Sequence, residues 1–193
     1  QVDPNIASMH HQFITTSTQA PPILLLLLQE WVSTPAPSWT LLYRGTRDGF
    51  GAAKFHQLCD GRQYTVVLVR DTNGSIFGGY TDCAAWSSSE HFTPSPHSFL
   101  FSLSVKGAAD PGAAVKCPVV ATNANFAVRN SSSHHASFGS APDLQLADHC
   151  QSSHSICNLG ATFETGGAGA QLLTGGARSF LVQEVEVWQL TVP

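Results

Sequence analysis

The chain has 193 residues, 42% of them hydrophobic, enough for one compact domain with a sizeable core, which excludes a mainly disordered chain. Only 11% are charged, against about 25% in ordinary soluble proteins, so Ser, Thr, Asn, Gln and His must dress the surface. Nine Lys and Arg against thirteen Asp and Glu give a net charge of −4, and the absence of a basic run argues against nucleic acid as a partner.

Residues 1–22, with Pro4, Pro21 and Pro22 in a Ser/Thr/Gln-rich stretch, read as an extended N-terminal arm. The aliphatic run Ile23–Leu28 is six residues long, far short of the ~20 needed to cross a bilayer, so no transmembrane segment is expected. Strong helix formers following Pro22 and continuing to Val32 predict a short buried helix and linker over 23–37. A buried strand is the alternative, because an all-apolar run has no period to arbitrate.

From Trp39 onward short apolar segments alternate with Gly, Asn, Asp and Ser. Strands are expected at 39–43, 64–69, 75–80, 98–103, 126–128, 144–146 and 180–192. Asp71-Thr-Asn-Gly74 is a hairpin turn, since Asn-Gly tolerates the positive φ of tight turns. Between them, Gly51 to Cys59 carries Ala52, Ala53, Phe55 and Leu58 at spacings that suit a helix of about two turns. The fold class that follows is mostly β with a few short helices, a two-sheet antiparallel β-sandwich over residues 38–193. Gly166, Gly167, Gly169, Gly175 and Gly176 read as a surface loop, because no Gly-Lys-Ser/Thr follows to make a phosphate loop.

The motifs now fall into an order. Trp39-Thr-Leu-Leu-Tyr-Arg-Gly-Thr-Arg-Asp-Gly-Phe50 is followed by Phe55-His56, Cys59-Asp60-Gly61, Asn73-Gly74, Phe77-Gly-Gly-Tyr80 and Trp86. Phe99-Leu-Phe-Ser-Leu103, Phe138-Gly139, Asp143-Leu144, Asp148, Asn158-Leu-Gly160 and Phe180-Leu-Val-Gln-Glu-Val-Glu-Val-Trp188 complete the series. Over residues 38–190 this resembles the TLDc domain family, found in oxidation-resistance proteins and in regulators of the vacuolar proton pump. The resemblance implies a β-sandwich, no established catalytic activity, no cofactor, protection against oxidative damage, and the pump as a protein partner. By the same analogy the chain would be cytoplasmic.

Three groups of residues are candidates for function. Arg44, Arg47 and Asp48 lie in a glycine-punctuated turn, where Asp48 is placed to cap the following helix or to join a recognition cluster. Period-two alternation puts Glu184 and Glu186 on one face with Val182 and Trp188. Buried there, the two carboxylates would need a partner such as Arg44 or Arg47, and a structural ion pair is favoured over acid-base catalysis. In the second group, Phe77, Gly78, Gly79, Tyr80 and Trp86, two strand glycines mark a bulge or a close backbone approach, with an exposed aromatic anchor as the functional alternative.

The third group is His149, Cys150, His154 and Cys157, with His134-His135 upstream. It has the ligand types for zinc, but adjacent His149 and Cys150 are awkward joint ligands. Unligated loop residues are the first reading, a Cys150–Cys157 disulfide the second and zinc the third, so no metal is expected. The five cysteines, Cys59, Cys83, Cys117, Cys150 and Cys157, are too sparse for a disulfide scaffold, and free thiols are the simpler reading. Were Gln1 a processed N-terminus, sequons at Asn73 and Asn130 would fit an extracellular recognition domain for a glycan or other surface ligand.

Overall fold

The computed structural model describes residues 30–32, 38–82, 86–105 and 114–191. The arm expected over 1–22 and most of the segment 23–37 lie outside them, whereas residues 30–32 are helical. The first sheet contains β1 (Ser38–Arg44), β2 (Thr65–Asp71), β3 (Ile76–Thr81), β5 (Phe99–Ser104), β6 (Val115–Pro118) and β12 (Val182–Thr191) in the order β1-β12-β2-β3-β5-β6. The second runs β11 (Ser179–Phe180), β10 (Ser155–Cys157), β9 (Leu144–Ala147), β8 (His134–Phe138), β7 (Val128–Arg129) and β4 (Phe92–Thr93). Neighbouring strands are antiparallel throughout.

The core lies between the sheets. Val67, Val69, Phe77, Leu100, Val185 and Val187 from the first sheet pack against Phe138, Leu144, Leu146 and Phe180 from the second. Complete burial of each such side chain contributes about 1.5–3 kcal/mol. A second apolar cluster covers the outer face of the first sheet, where Val66, Leu68, Tyr80, Phe99 and Phe101 are buried with Trp31 against them. The Trp31 ring stands edge-on to Phe99 at 5.6 Å. Burial on both faces is why these strands read as continuous apolar runs instead of alternating ones.

Two short helices interrupt the strands. The single turn α1 (Gly45–Asp48) closes β1, and α2 (Ala52–Cys59) follows it, burying Phe55, His56 and Cys59. The hairpin at Asp71–Gly74 forms as its residues dictate: Asp71 Oδ1 accepts the amides of Asn73 (2.9 Å) and Ser75 (2.8 Å), and Gly74 takes φ 86°. Gly78 and Gly79 keep regular register between β2 and β5, so the reason for them is close approach. A Cβ at Gly78 would lie 1.9 Å from the Val67 carbonyl oxygen, and one at Gly79 would lie 2.6 Å from the Phe138 ring.

Some expectations are corrected. Phe126 ends a 3-10 helix (Ala121–Phe126), and the strand begins only at Val128. The closing segment is two strands, because the Leu181 carbonyl turns aside to accept the Thr72 amide at 3.0 Å. β4, β6, β8 and β10 carry too few consecutive apolar residues to signal strands. Val182 does not share a face with Glu184: a bulge between them in the β12–β2 register sends Val182 to the inner core.

Candidate functional site

The charged cluster is assembled where β1 meets β12. Their register sets Arg44 directly opposite Glu186, and antiparallel partners share a face. Arg44 donates from Nε to Glu186 Oε1 at 2.8 Å, and its Nη2 reaches the same oxygen at 2.7 Å. Trp188 Nε1 donates to Oε2 at 2.9 Å, so both carboxylate oxygens are occupied. Glu186 is only 1% exposed. Burial pushes its carboxyl up, opposed by the Trp188 hydrogen bond and the Arg44 charge.

Glu184 serves α1. Its Oε1 accepts the amides of Thr46 (3.1 Å) and Val185 (3.0 Å), while Oε2 accepts the Thr46 hydroxyl. Arg47 does not reach either glutamate. It pairs with Asp48 at 2.7 Å and donates to the Leu42 carbonyl at 3.1 Å, with its side chain 48% exposed. Asp48 Oδ2 also accepts the Arg44 amide at 2.9 Å. Although burial pulls the other way, the Arg47 hydrogen bond and that amide hold its carboxyl below the usual range.

The expected cap on α2 is therefore misplaced. Asp48 closes its own turn, and the first amide of α2, on Ala52, donates to Asp148 Oδ1 at 2.7 Å. That hydrogen bond is the chief reason the Asp148 carboxyl is held low. No local signal links positions 96 residues apart. Sequence reasoning also missed what Asp143 does. Its fully buried carboxylate gathers the amides of Gly160 (2.8 Å), Ala161 (3.1 Å), Thr162 (3.0 Å) and Phe163 (3.3 Å). A Cβ on Gly139, at φ +89°, would lie 2.0 Å from Asp143 Oδ2. Phe138-Gly139, Asp143-Leu144 and Asn158-Leu-Gly160 are thus parts of one clamp.

The match to known proteins follows the same stretch: residues 9–191 fit the TLDc domain family. The chain belongs to that family. One relative is the MTOR-associated protein MEAK7 of Danio rerio, 34% identical over 85 residues, covering 42% of this chain and 18% of that protein. The chain thus spans a small part of the relative's length. The TLDc match starts ahead of residue 38, where the quoted motifs begin.

The other candidates of this TLDc chain are scattered or buried. Phe77, Tyr80 and Trp86 are in the interior, with Trp86 between Phe55 (5.5 Å) and Phe138 (5.4 Å) and its Nε1 donating to Thr65 Oγ1 at 2.8 Å. They offer no exposed anchor.

Cys150 and Cys157 are buried and free, which removes the proposed disulfide between them. His149 points to solvent, and His154 Nδ1 meets Ser179 Oγ at 2.9 Å, so the four possible zinc ligands do not converge. Among the described residues no group of three or more His, Cys, Asp or Glu side chains is arranged to hold a metal. Asn130 cannot present its amide to a glycosyl donor in the folded chain. It is 2% exposed, accepting the Ser87 amide at 2.9 Å and donating to Thr93 Oγ1 at 2.7 Å.

Proposed function

We propose that this TLDc domain works by binding a protein partner and performs no chemistry of its own. The observation that supports this most is the self-sufficiency of the charged cluster. Glu186 is taken by Arg44 and Trp188, Glu184 by Thr46 and Val185, and Asp48 by Arg47. A general acid or base needs a free face toward a substrate, and these carboxylates face their own strand and turn.

The partner proposed is the vacuolar proton pump, by the family resemblance, and protection against oxidation would run through that binding. Sacrificial thiols are a poorer account, since burial pushes Cys117 and Cys157 to about 11 and Cys150 to about 12. A Danio rerio relative named for association with MTOR also fits a domain that binds proteins. The test is co-purification of the tagged chain, at native abundance, with the assembled pump. Enrichment of pump subunits over a tagged control domain is expected, and equal recovery of the two would overturn the assignment of the pump.

A further inference from the structure

Large apolar side chains in solvent stand out among the described residues: Tyr64, Phe92 and Phe126 are 41%, 39% and 44% exposed. Two of them meet. Phe92 on β4 and Phe126 at the end of the 3-10 helix stack edge to face, ring centroids 5.5 Å apart at 85°. Phe92 is also the cross-strand partner of Arg129 on β7, which puts the guanidinium on the same outer face. That guanidinium makes no hydrogen bond or salt bridge among the described residues. Glu90 is close enough to feel its charge but directs its hydrogen bonds to Ser132 and Ser131, and Arg129 is the smallest of the influences on it.

The face is preorganised. Beside Arg129, the buried Asn130 side chain ties Thr93 to the Ser87 backbone, and its own amide donates to the His91 carbonyl at 2.9 Å. Both neighbours of Phe92 are therefore fixed to Asn130, the residue that follows β7. β4 is an edge strand of the second sheet, but Pro94 follows it at once and lacks the amide that an added strand would use. This short edge is better suited to a partner that engages side chains than to an added strand.

We propose that Phe92, Phe126 and Arg129 form a docking site for a peptide segment of a partner protein bearing one carboxylate beside a large apolar side chain. The apolar group covers the ring pair, and the carboxylate takes the fork of Arg129. A single guanidinium, with Glu90 beside it and a chain net charge of −4, disfavours a polyacidic segment or an anionic membrane. The proposal rests on the reading of this chain as a protein-binding domain and gives that binding a place.

The test is fluorescence anisotropy with a fluorescein-labelled peptide carrying Phe-Asp-Leu between Gly/Ser flanks, alongside Phe-Lys-Leu and Ser-Asp-Ser versions. The full chain is compared with Phe126→Ser and Arg129→Gln, and amide shifts of the labelled wild-type chain locate the peptide without any variant. Phe-Asp-Leu should bind and shift the amides of Phe92, Phe126 and Arg129. Either control peptide or either variant should weaken binding roughly tenfold or more. No binding, equal binding of Phe-Lys-Leu, or shifts elsewhere overturns the proposal. So does retention on phosphatidylcholine–phosphatidylserine vesicles with no peptide binding, which would assign the face to a membrane. No pump subunit enters this experiment, so failure here is distinguishable from failure of the pump assignment.

Discussion

Glu186 shows what a charge costs when it is buried in a chain with few charges. The carboxylate is held by Arg44 and Trp188, and replacing it with Gln removes the negative charge set against the Arg44 guanidinium, which is only 15% exposed. Breaking such a pair costs about 3 kcal/mol, which in a domain of this size lowers the melting temperature by on the order of 10 °C. Thermal denaturation of Glu186→Gln checks this, and an unchanged melting temperature with lost partner binding would make the residue a recognition element. His135 carries a different charge problem. Its Nε2 donates to the Phe50 carbonyl at 2.6 Å, while Nδ1 is buried with no hydrogen-bond partner. A proton added at Nδ1 is unpaired, and burial lowers the imidazole from the ordinary 6.5 to about 4. The unfolded chain therefore binds this proton first as pH falls. The stability from neutral His135 is complete above pH 6.5 and is lost between there and about pH 4, up to about 3 kcal/mol. Urea denaturation against pH, for the wild type and for His135→Gln, should show the two curves converging across that window.

Elements depend on caps that the chain supplies from far away. α2 begins at Gly51 with no side-chain cap of its own, and Asp148 meets its first amide across the fold. Asp148→Ala should cost about 1 kcal/mol, read as a drop in melting temperature, with faster hydrogen exchange confined to the first turn of α2. Asp48→Ala should leave α2 exchange unchanged, because Asp48 is bound to Arg47 and the Arg44 amide. This pair of positions marks the limit of what the sequence discloses. Arg44 and Glu186 were readable, since a turn after one strand and alternation in another put both charges where a partner was required. The long strands were readable for a related reason: the centres of Thr65–Asp71 and Phe99–Ser104, at Val66–Val69 and Phe99–Phe101, are buried on both faces and are apolar without a break. β8, by contrast, reads His-His-Ala-Ser-Phe, and its two histidines resemble ligands until their contacts are known. His134 and His135 are there to meet the turn before β8, through Ser131 and Ser133, and the link between α1 and α2, through Phe50. The bulge that turns Val182 inward does leave a mark, because Val182-Gln-Glu-Val-Glu sets two polar residues between Val182 and Val185, a break in alternation that a strict period of two overlooks.

At the scale of the whole molecule, the two sheets bury the four thiols of the described residues between them, and this decides how those thiols meet oxidants. Cys59 on α2, Cys117 on β6, Cys157 on β10 and Cys150 before it are all in the interior. Burial raises every one, to about 11 for Cys117 and Cys157, about 12 for Cys150, and higher still for Cys59. A thiol that far up is almost wholly protonated at neutral pH, and the protonated thiol is a poor nucleophile toward alkylating agents and peroxide. Modification must then wait for opening of the sandwich, so its rate reports folding stability and not thiol reactivity. Treating the native chain with iodoacetamide near pH 8 and mapping the peptides should leave Cys59, Cys117, Cys150 and Cys157 unlabelled. The same treatment in denaturing urea should label all four. Glu186→Gln, by lowering the free energy of global opening, should speed labelling of the four cysteines together. Rapid labelling of one in the native wild type would mean a local path to that thiol, and would return sacrificial oxidation to consideration as part of what the domain does.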